Sequence, residues 1–153
     1  MRLNITKNFK RRAVLLATVF SLALAGDVAA QCSKTWVRKK CVPKISPFIH
    51  NGQMNTLSLK EGGKMESTLT FYSGQDYRIL VCAEETLENV SFVVSDMNGK
   101  IIFDSKAHNN TDVWDFKVKT TTDLKVEVNI GKNETGNGTM TGCVSVLVGF
   151  KSK

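Results

Sequence analysis

The stretch FYSGQDYRILVCAEE, residues Phe71–Glu85, decides how this chain folds. Its first residues end an alternating apolar run, Ser73-Gly74-Gln75 has the composition of a turn, and Asp76–Ala83 resumes the alternation. In this second run one face carries Tyr77, Ile79 and Val81, and the other carries Arg78, Leu80 and Cys82. The pattern predicts a β-hairpin that leaves its polar side chains at the surface, and it does not predict a catalytic segment.

Short apolar runs between turn residues continue along the chain in both directions. They predict eight strands: Thr56–Leu59, Met65–Tyr72, Asp76–Ala83, Val90–Ser95, Lys100–Asp104, Val113–Val118, Leu124–Ile130 and Cys143–Phe150. Between the fourth and fifth, Asn98-Gly99 favours a two-residue type I′ turn, in which both residues have positive φ. The fold class predicted is all-β: an antiparallel, jelly-roll-like β-sandwich of about seven or eight strands.

Residues 1–30 have the layout of a cleaved secretory signal peptide, with five basic residues, an apolar run and small residues before the cleavage site. The apolar run is too short to span a membrane. Gln31, in place of a small residue, disfavours lipid attachment at Cys32. Residues 31–55 contain both prolines and little periodicity, which favours a basic irregular N-terminal arm, and residues 56–153 are predicted to form the sandwich domain. We expect an exported bacterial protein, periplasmic or extracellular.

The charge of the exported part is mild. The whole chain has 21 basic and 14 acidic residues, a formal charge of +7. The predicted signal holds five of the basic residues and one acidic residue, which leaves +3 and argues against nucleic acid as a partner. A basic cluster in the arm fits either a solvated surface or contact with an acidic partner, and it comprises Lys34, Arg38, Lys39, Lys40 and Lys44.

All four cysteines follow the predicted signal, and an even count in an exported chain predicts disulfides with three possible pairings. Cys82 and Cys143 each lie on the less apolar face of a strand. If those strands are neighbours, Cys82–Cys143 is the natural bridge, and Cys32–Cys41 closes a small loop. A bonded sulfur has no thiolate, so neither strand cysteine is predicted to be a nucleophile.

Motifs for catalysis and metal binding are missing from the sequence. His50 and His108 lie among turn residues, no G-x-S-x-G elbow is present, and neither C-x-x-C nor H-E-x-x-H occurs. Asp96-Met97-Asn98-Gly99 begins like a calcium loop but lacks the later acidic ligand. The prediction is a protein without catalytic residues, metal or cofactor.

With these strands laid out, the chain resembles a family of small secreted or periplasmic β-sandwich proteins of Gram-negative bacteria with no assigned activity. The stretches that carry the resemblance are FYSGQDYRILVCAEE, DMNGKIIFD, VWDF and GCVSVLVGFK. More distantly, G-Q-x-Y before a strand and D-x-N-G-K are similar to bacterial pre-peptidase C-terminal (PPC) and GOLD-like jelly-roll domains. The second resemblance implies an appended binding or stabilising module.

Two functional hypotheses follow. The first is a non-enzymatic structural or protein-interaction module of the cell envelope, which contacts another envelope protein through an exposed sheet face or the basic arm. The alternative is a carbohydrate or small-ligand-binding module. The residues predicted to contact a partner are Trp36, Arg38, Lys39, Lys40 and Arg78. For Trp114, which shares a face with Phe116 and Val118, core packing is favoured over a glycan platform.

Overall fold

Eight strands form two four-stranded antiparallel sheets in the computed structural model, which describes residues 32–132 and 140–151. The predicted signal peptide lies outside the described residues. The strands are β1 (Ile49–Lys60), β2 (Lys64–Phe71), β3 (Asp76–Ala83), β4 (Val90–Asp96), β5 (Ile101–Asp104), β6 (Val113–Lys117), β7 (Thr122–Ile130) and β8 (Thr141–Phe150). The predicted all-β sandwich is confirmed, and the largest difference is that β1 begins at Ile49 instead of Thr56.

The strand order is that of a jelly roll. The first sheet has the order β1-β8-β3-β6 and the second β2-β7-β4-β5. The pairs β1 with β8, β2 with β7, β3 with β6 and β4 with β5 therefore form one long antiparallel ribbon whose pairs alternate between the sheets. Wrapping such a ribbon around a core produces the double-sheet jelly roll.

The main core lies between the two sheets. From β3 the face with Tyr77, Ile79 and Val81 points into it, as the alternation predicts. Phe71, at the end of β2, is 1% exposed and meets the Tyr77 ring edge-on, with ring centroids 5.0 Å apart. Ser73-Gly74-Gln75 joins the two strands as a turn, and Gly74 donates its N–H to the carbonyl oxygen of Val118 at 2.7 Å. The strands that it joins lie in different sheets, β2 beside β7 and β3 beside β6 and β8, so the predicted β-hairpin is wrong. The stretch is a structural connection that crosses from one sheet to the other.

A second, smaller core covers the outer face of the first sheet. The chain before β1 forms a short α-helix α1 (Lys34–Trp36), a π-helical turn (Val37–Cys41) and a 3-10 turn (Val42–Ile45), which we call the N-terminal helical segment. It buries Val37, Cys41 and Ile45 against Leu80, Cys82 and Leu147.

The prediction of an irregular arm over residues 31–55 is thus wrong in the described part of that range. The signal that could have revealed the helical segment is the spacing of Val37, Cys41 and Ile45, since residues four apart share one helical face. Pro43 hid it, because proline argues against a helix interior, yet here it stands in the first turn of the 3-10 helix, where no N–H is needed.

All four cysteines are bonded, but the predicted pairing is wrong. The disulfides are Cys32–Cys143 and Cys41–Cys82, with Cα–Cα distances of 5.5 and 5.8 Å. β3 and β8 are neighbours, as the pairing argument required, but Cys82 lies opposite Ser145 in the register. Cys82 and Cys143 both point away from the main core, and each is bonded there to a cysteine that precedes β1. The altered pairing leaves the sandwich register intact.

The β4–β5 turn also differs from its prediction. Gly99 has φ +84°, but Asn98 is not among the residues with positive φ, so the turn is not type I′. The Asp96 carboxylate accepts the N–H groups of Asn98 and Lys100, both at 2.9 Å. These side-chain hydrogen bonds form an Asx-type turn and hold a three-residue loop, Met97–Gly99. The positive φ falls at the last residue of the loop, as is common in three-residue hairpin loops.

Candidate functional site

An exposed basic surface lies on the N-terminal helical segment. The exposed basic side chains that form it are those of Lys34, Arg38, Lys39, Lys40 and Lys44. No aspartate or glutamate occurs between Cys32 and Lys60. Among the described residues, no ion pair or side-chain hydrogen bond involves any of these five cations. Their charges are therefore available to an external partner.

The backbone beneath the basic surface is held in place. Cys41, inside the segment, is bonded to β3, and Cys32, just before it, is bonded to β8. Val37 lies between the two bonded cysteines in the sequence and Ile45 follows them. Their side chains are 0% and 3% exposed and pack against the first sheet. The basic surface thus has a fixed backbone conformation, unlike the solvated arm of the sequence interpretation.

Arg78 joins the segment to the sandwich. Its Nε and one terminal nitrogen donate to the two carboxylate oxygens of Asp115, both at 2.7 Å, and the other terminal nitrogen donates to the carbonyl oxygen of Ser46 at 2.7 Å. The guanidinium carbon lies 4.7 Å from the centre of the Phe48 ring. Hydrogen bonding to Asp115 raises the pKa of Arg78 above its ordinary value. With 16% of its side chain exposed, Arg78 is chiefly a structural clamp.

The two tryptophans differ in their surroundings. Trp36 is partly buried and packs against the second core. Trp114 is stacked between Phe103, with centroids 5.0 Å apart, and Phe116, at 4.1 Å. The Trp114 ring is therefore stacked on two neighbouring rings and packs against the main core, an arrangement that fits core packing.

The outer face of the second sheet is a solvated, charged surface. Cross-strand ion pairs join Lys64 to Glu127 at 3.4 Å and Lys125 to Glu66 at 3.3 Å. A hydrogen bond from Asn129, with further help from Lys64 and Lys125, lowers the pKa of Glu127. These charges neutralise one another, so this face offers a partner less net charge than the basic surface does.

The groups that sequence reasoning considered for chemistry are engaged elsewhere. A ring nitrogen of His50 lies 3.0 Å from the carbonyl oxygen of Gln53, and one of His108 lies 2.9 Å from that of Asp104. Within residues 32–132 and 140–151 no cysteine is free and no cluster of three or more His, Cys, Asp or Glu could hold a metal. In the same part of the chain, no helix is long and apolar enough to cross a membrane.

Comparisons with known proteins give a likeness in structure but none in sequence family. No family model and no curated protein matches the chain. The structure is similar to the crystal structure of Aeromonas hydrophila PliG, a periplasmic lysozyme inhibitor of g-type lysozyme. The TM-score is 0.47 at 14% identity, over 69% of this chain and 89% of that one. A likeness at this level says nothing about what the chain binds. The resemblance to PPC and GOLD-like domains stays a prediction.

Proposed function

We propose that this chain is an exported, non-enzymatic β-sandwich protein that acts as a protein-interaction module in the bacterial cell envelope. The observation that carries the proposal is the basic surface, five exposed cations on a segment that two disulfides and a buried core attach to the sandwich. The partner is an envelope protein that presents an acidic surface.

A fixed backbone favours binding because less conformational freedom is lost when the partner arrives. Five like charges within eleven residues, with no acid among them, also attract an acidic partner over a distance of about one Debye length, roughly 8–10 Å. Like charges held this close together repel one another, so stabilisation of the fold does not explain the cluster. Recognition of negative charge does account for it.

The test is retention of envelope proteins on the immobilised exported protein. Lys39→Glu/Lys40→Glu reverses two charges of the basic surface, and Lys117→Glu/Lys119→Glu makes the same charge change at two exposed lysines elsewhere. We expect the wild type and the second variant to retain the same acidic protein, with affinity that falls as salt rises. The first variant should bind it at least tenfold more weakly.

Equal retention by Lys39→Glu/Lys40→Glu would contradict the proposal. So would a result in which vesicles containing anionic lipid bind in a charge-dependent manner and no envelope protein does, since the basic surface would then serve a membrane.

A further inference from the structure

A cleft opens between the two sheets at the side where β1 and β2 are the edge strands. Its volume is about 540 Å³, within the roughly 300–1,000 Å³ typical of small-molecule sites. It is lined by side chains from β1, β2, β3 and β8, together with the turn before β3. None of its lining residues belongs to the N-terminal helical segment, so the cleft is a site separate from the basic surface.

The floor of the cleft is apolar and largely aromatic. It consists of Leu69, Phe71, Tyr77, Val148 and Phe150. The first four are buried, between 1% and 8% exposed, and Phe150 is partly buried. The floor therefore belongs to the main core and is held rigidly, and the partly buried ring of Phe150 is its most accessible apolar surface.

The rim carries amide and hydroxyl groups, from Asn51, Gln53, Tyr72 and Gln75. β1 bulges between His50 and Met54, with Gly52 at φ +89°. Within the bulge the Asn51 amide donates to the Gln53 side-chain oxygen at 3.2 Å, and the Gln53 N–H donates to the Asn51 side-chain oxygen at 2.9 Å. These bonds orient the Gln53 amide and leave its NH₂ group free to donate.

Tyr77 adds a polar group to the floor. Its hydroxyl oxygen accepts the N–H of Tyr72 at 3.1 Å, and no described residue accepts the hydroxyl hydrogen. A buried tyrosine usually places its O–H on a partner. Tyr77, 6% exposed, thus supplies an unused donor in the wall of the cleft.

No lining residue carries a charge, although lysines and acids cover much of the rest of the surface. An ionic ligand would lose hydration here without gaining a counter-charge. A purely hydrocarbon ligand would make no use of the amides and hydroxyls, each of which can both donate and accept. We propose that the cleft binds a neutral saccharide, whose hydroxyls pair with the rim and with Tyr77 and whose C–H face lies against the accessible rings of Phe150 and Tyr72.

The experiment is a titration of the ¹⁵N-labelled exported protein with uncharged oligosaccharides, namely maltotetraose, cellotetraose and the N-acetylglucosamine tetramer. An acidic oligogalacturonate and an uncharged, acetylated and amidated Thr-Val repeat pentapeptide are the comparison probes. We expect saturable amide shifts with at least one neutral saccharide, confined to residues 51–53, 68–77 and 148–150.

Two variants locate the binding. Tyr77→Phe removes only the hydroxyl and Gln53→Ala removes an exposed amide, so both should retain the fold, which their spectra will show. Each should weaken binding about tenfold, as loss of one hydrogen bond implies. Asn98→Ala, in the β4–β5 turn, is the matched control and should bind as the wild type does.

Several outcomes would overturn the inference. They are no saturable binding to any neutral saccharide, shifts outside the cleft, unchanged affinity in both variants, or binding only of the oligogalacturonate or only of the peptide. Loss of the acidic protein partner in Lys39→Glu/Lys40→Glu, with saccharide binding retained, would show that the two sites act independently.

Discussion

At the scale of single residues, Arg78 shows how one polar side chain in an apparent active-site stretch can serve structure. It connects β3, β6 and the chain leading into β1 through Asp115, Ser46 and Phe48. A planar guanidinium can satisfy this geometry and an ammonium cannot, because only the former offers donors in a fixed fork.

We therefore expect Arg78→Lys to lower the free energy of unfolding by about 1.5–3 kcal/mol, the usual range for hydrogen bonds to a charged group. Urea unfolding at pH 7 measures it. Arg38→Lys, at an exposed arginine with no ion pair in the described chain, is the control and should change stability by no more than about 0.5 kcal/mol. Equal effects of the two changes would contradict the structural role of Arg78.

Glu127 makes a residue-scale prediction about pH. Its pKa is lowered in the folded protein by Asn129 and by the neighbouring lysines, from an ordinary value of 4.5. A carboxylate whose pKa is lowered on folding stabilises the fold fully at pH values above its unfolded-state pKa. This stabilisation is lost as the pH falls through its folded-state pKa. The stability difference between wild type and Glu127→Gln should thus shrink from pH 6 toward pH 3. Thermal unfolding across this range measures it, with the exposed Glu85→Gln as control; a difference independent of pH would contradict the assignment.

At the scale of elements, the N-terminal helical segment depends on the disulfides that fasten it. The cross-links span 111 and 41 residues, and in the chain-entropy description each is worth about 4–5 kcal/mol. A segment of twelve residues has too few helical turns to be stable alone in water. It folds because Val37, Cys41 and Ile45 find an apolar sheet face to cover.

Tryptic mapping under non-reducing conditions tests this connectivity. Cleavage after Lys34 and Lys40 places Cys32 and Cys41 in separate peptides. Cleavage at the lysines between Cys82 and Cys143 places these two cysteines in separate peptides as well. We expect residues 41–44 to be joined to the Cys82 peptide and the Cys32 peptide to residues 133–151. Recovery of Cys82 joined to Cys143 would contradict the structure and free the segment from the sheet.

At the scale of the whole molecule, apolar runs and turn residues were enough to predict eight strands, and alternation was enough to predict the inward faces of β3 and β8. Alternation could not show what covers the outward face of β3 and β8. Leu80 and Leu147 on that face are both 0% exposed, because the N-terminal helical segment lies over them. The same limit explains the disulfide error, since spacing along the chain does not say which cysteine approaches from above the sheet.

The sequence by itself determined the fold class, because period-two patterning and turn residues are local properties. They can be recognised without knowing which strands pair in the folded protein. Its basic cluster and its shortage of catalytic motifs were equally local. Only the tertiary structure decided the cysteine pairing, the rigid placement of the basic surface and the neutral cleft between β1 and β2. Each of these depends on which strands become neighbours when the ribbon wraps, and that is settled by burial across the whole molecule.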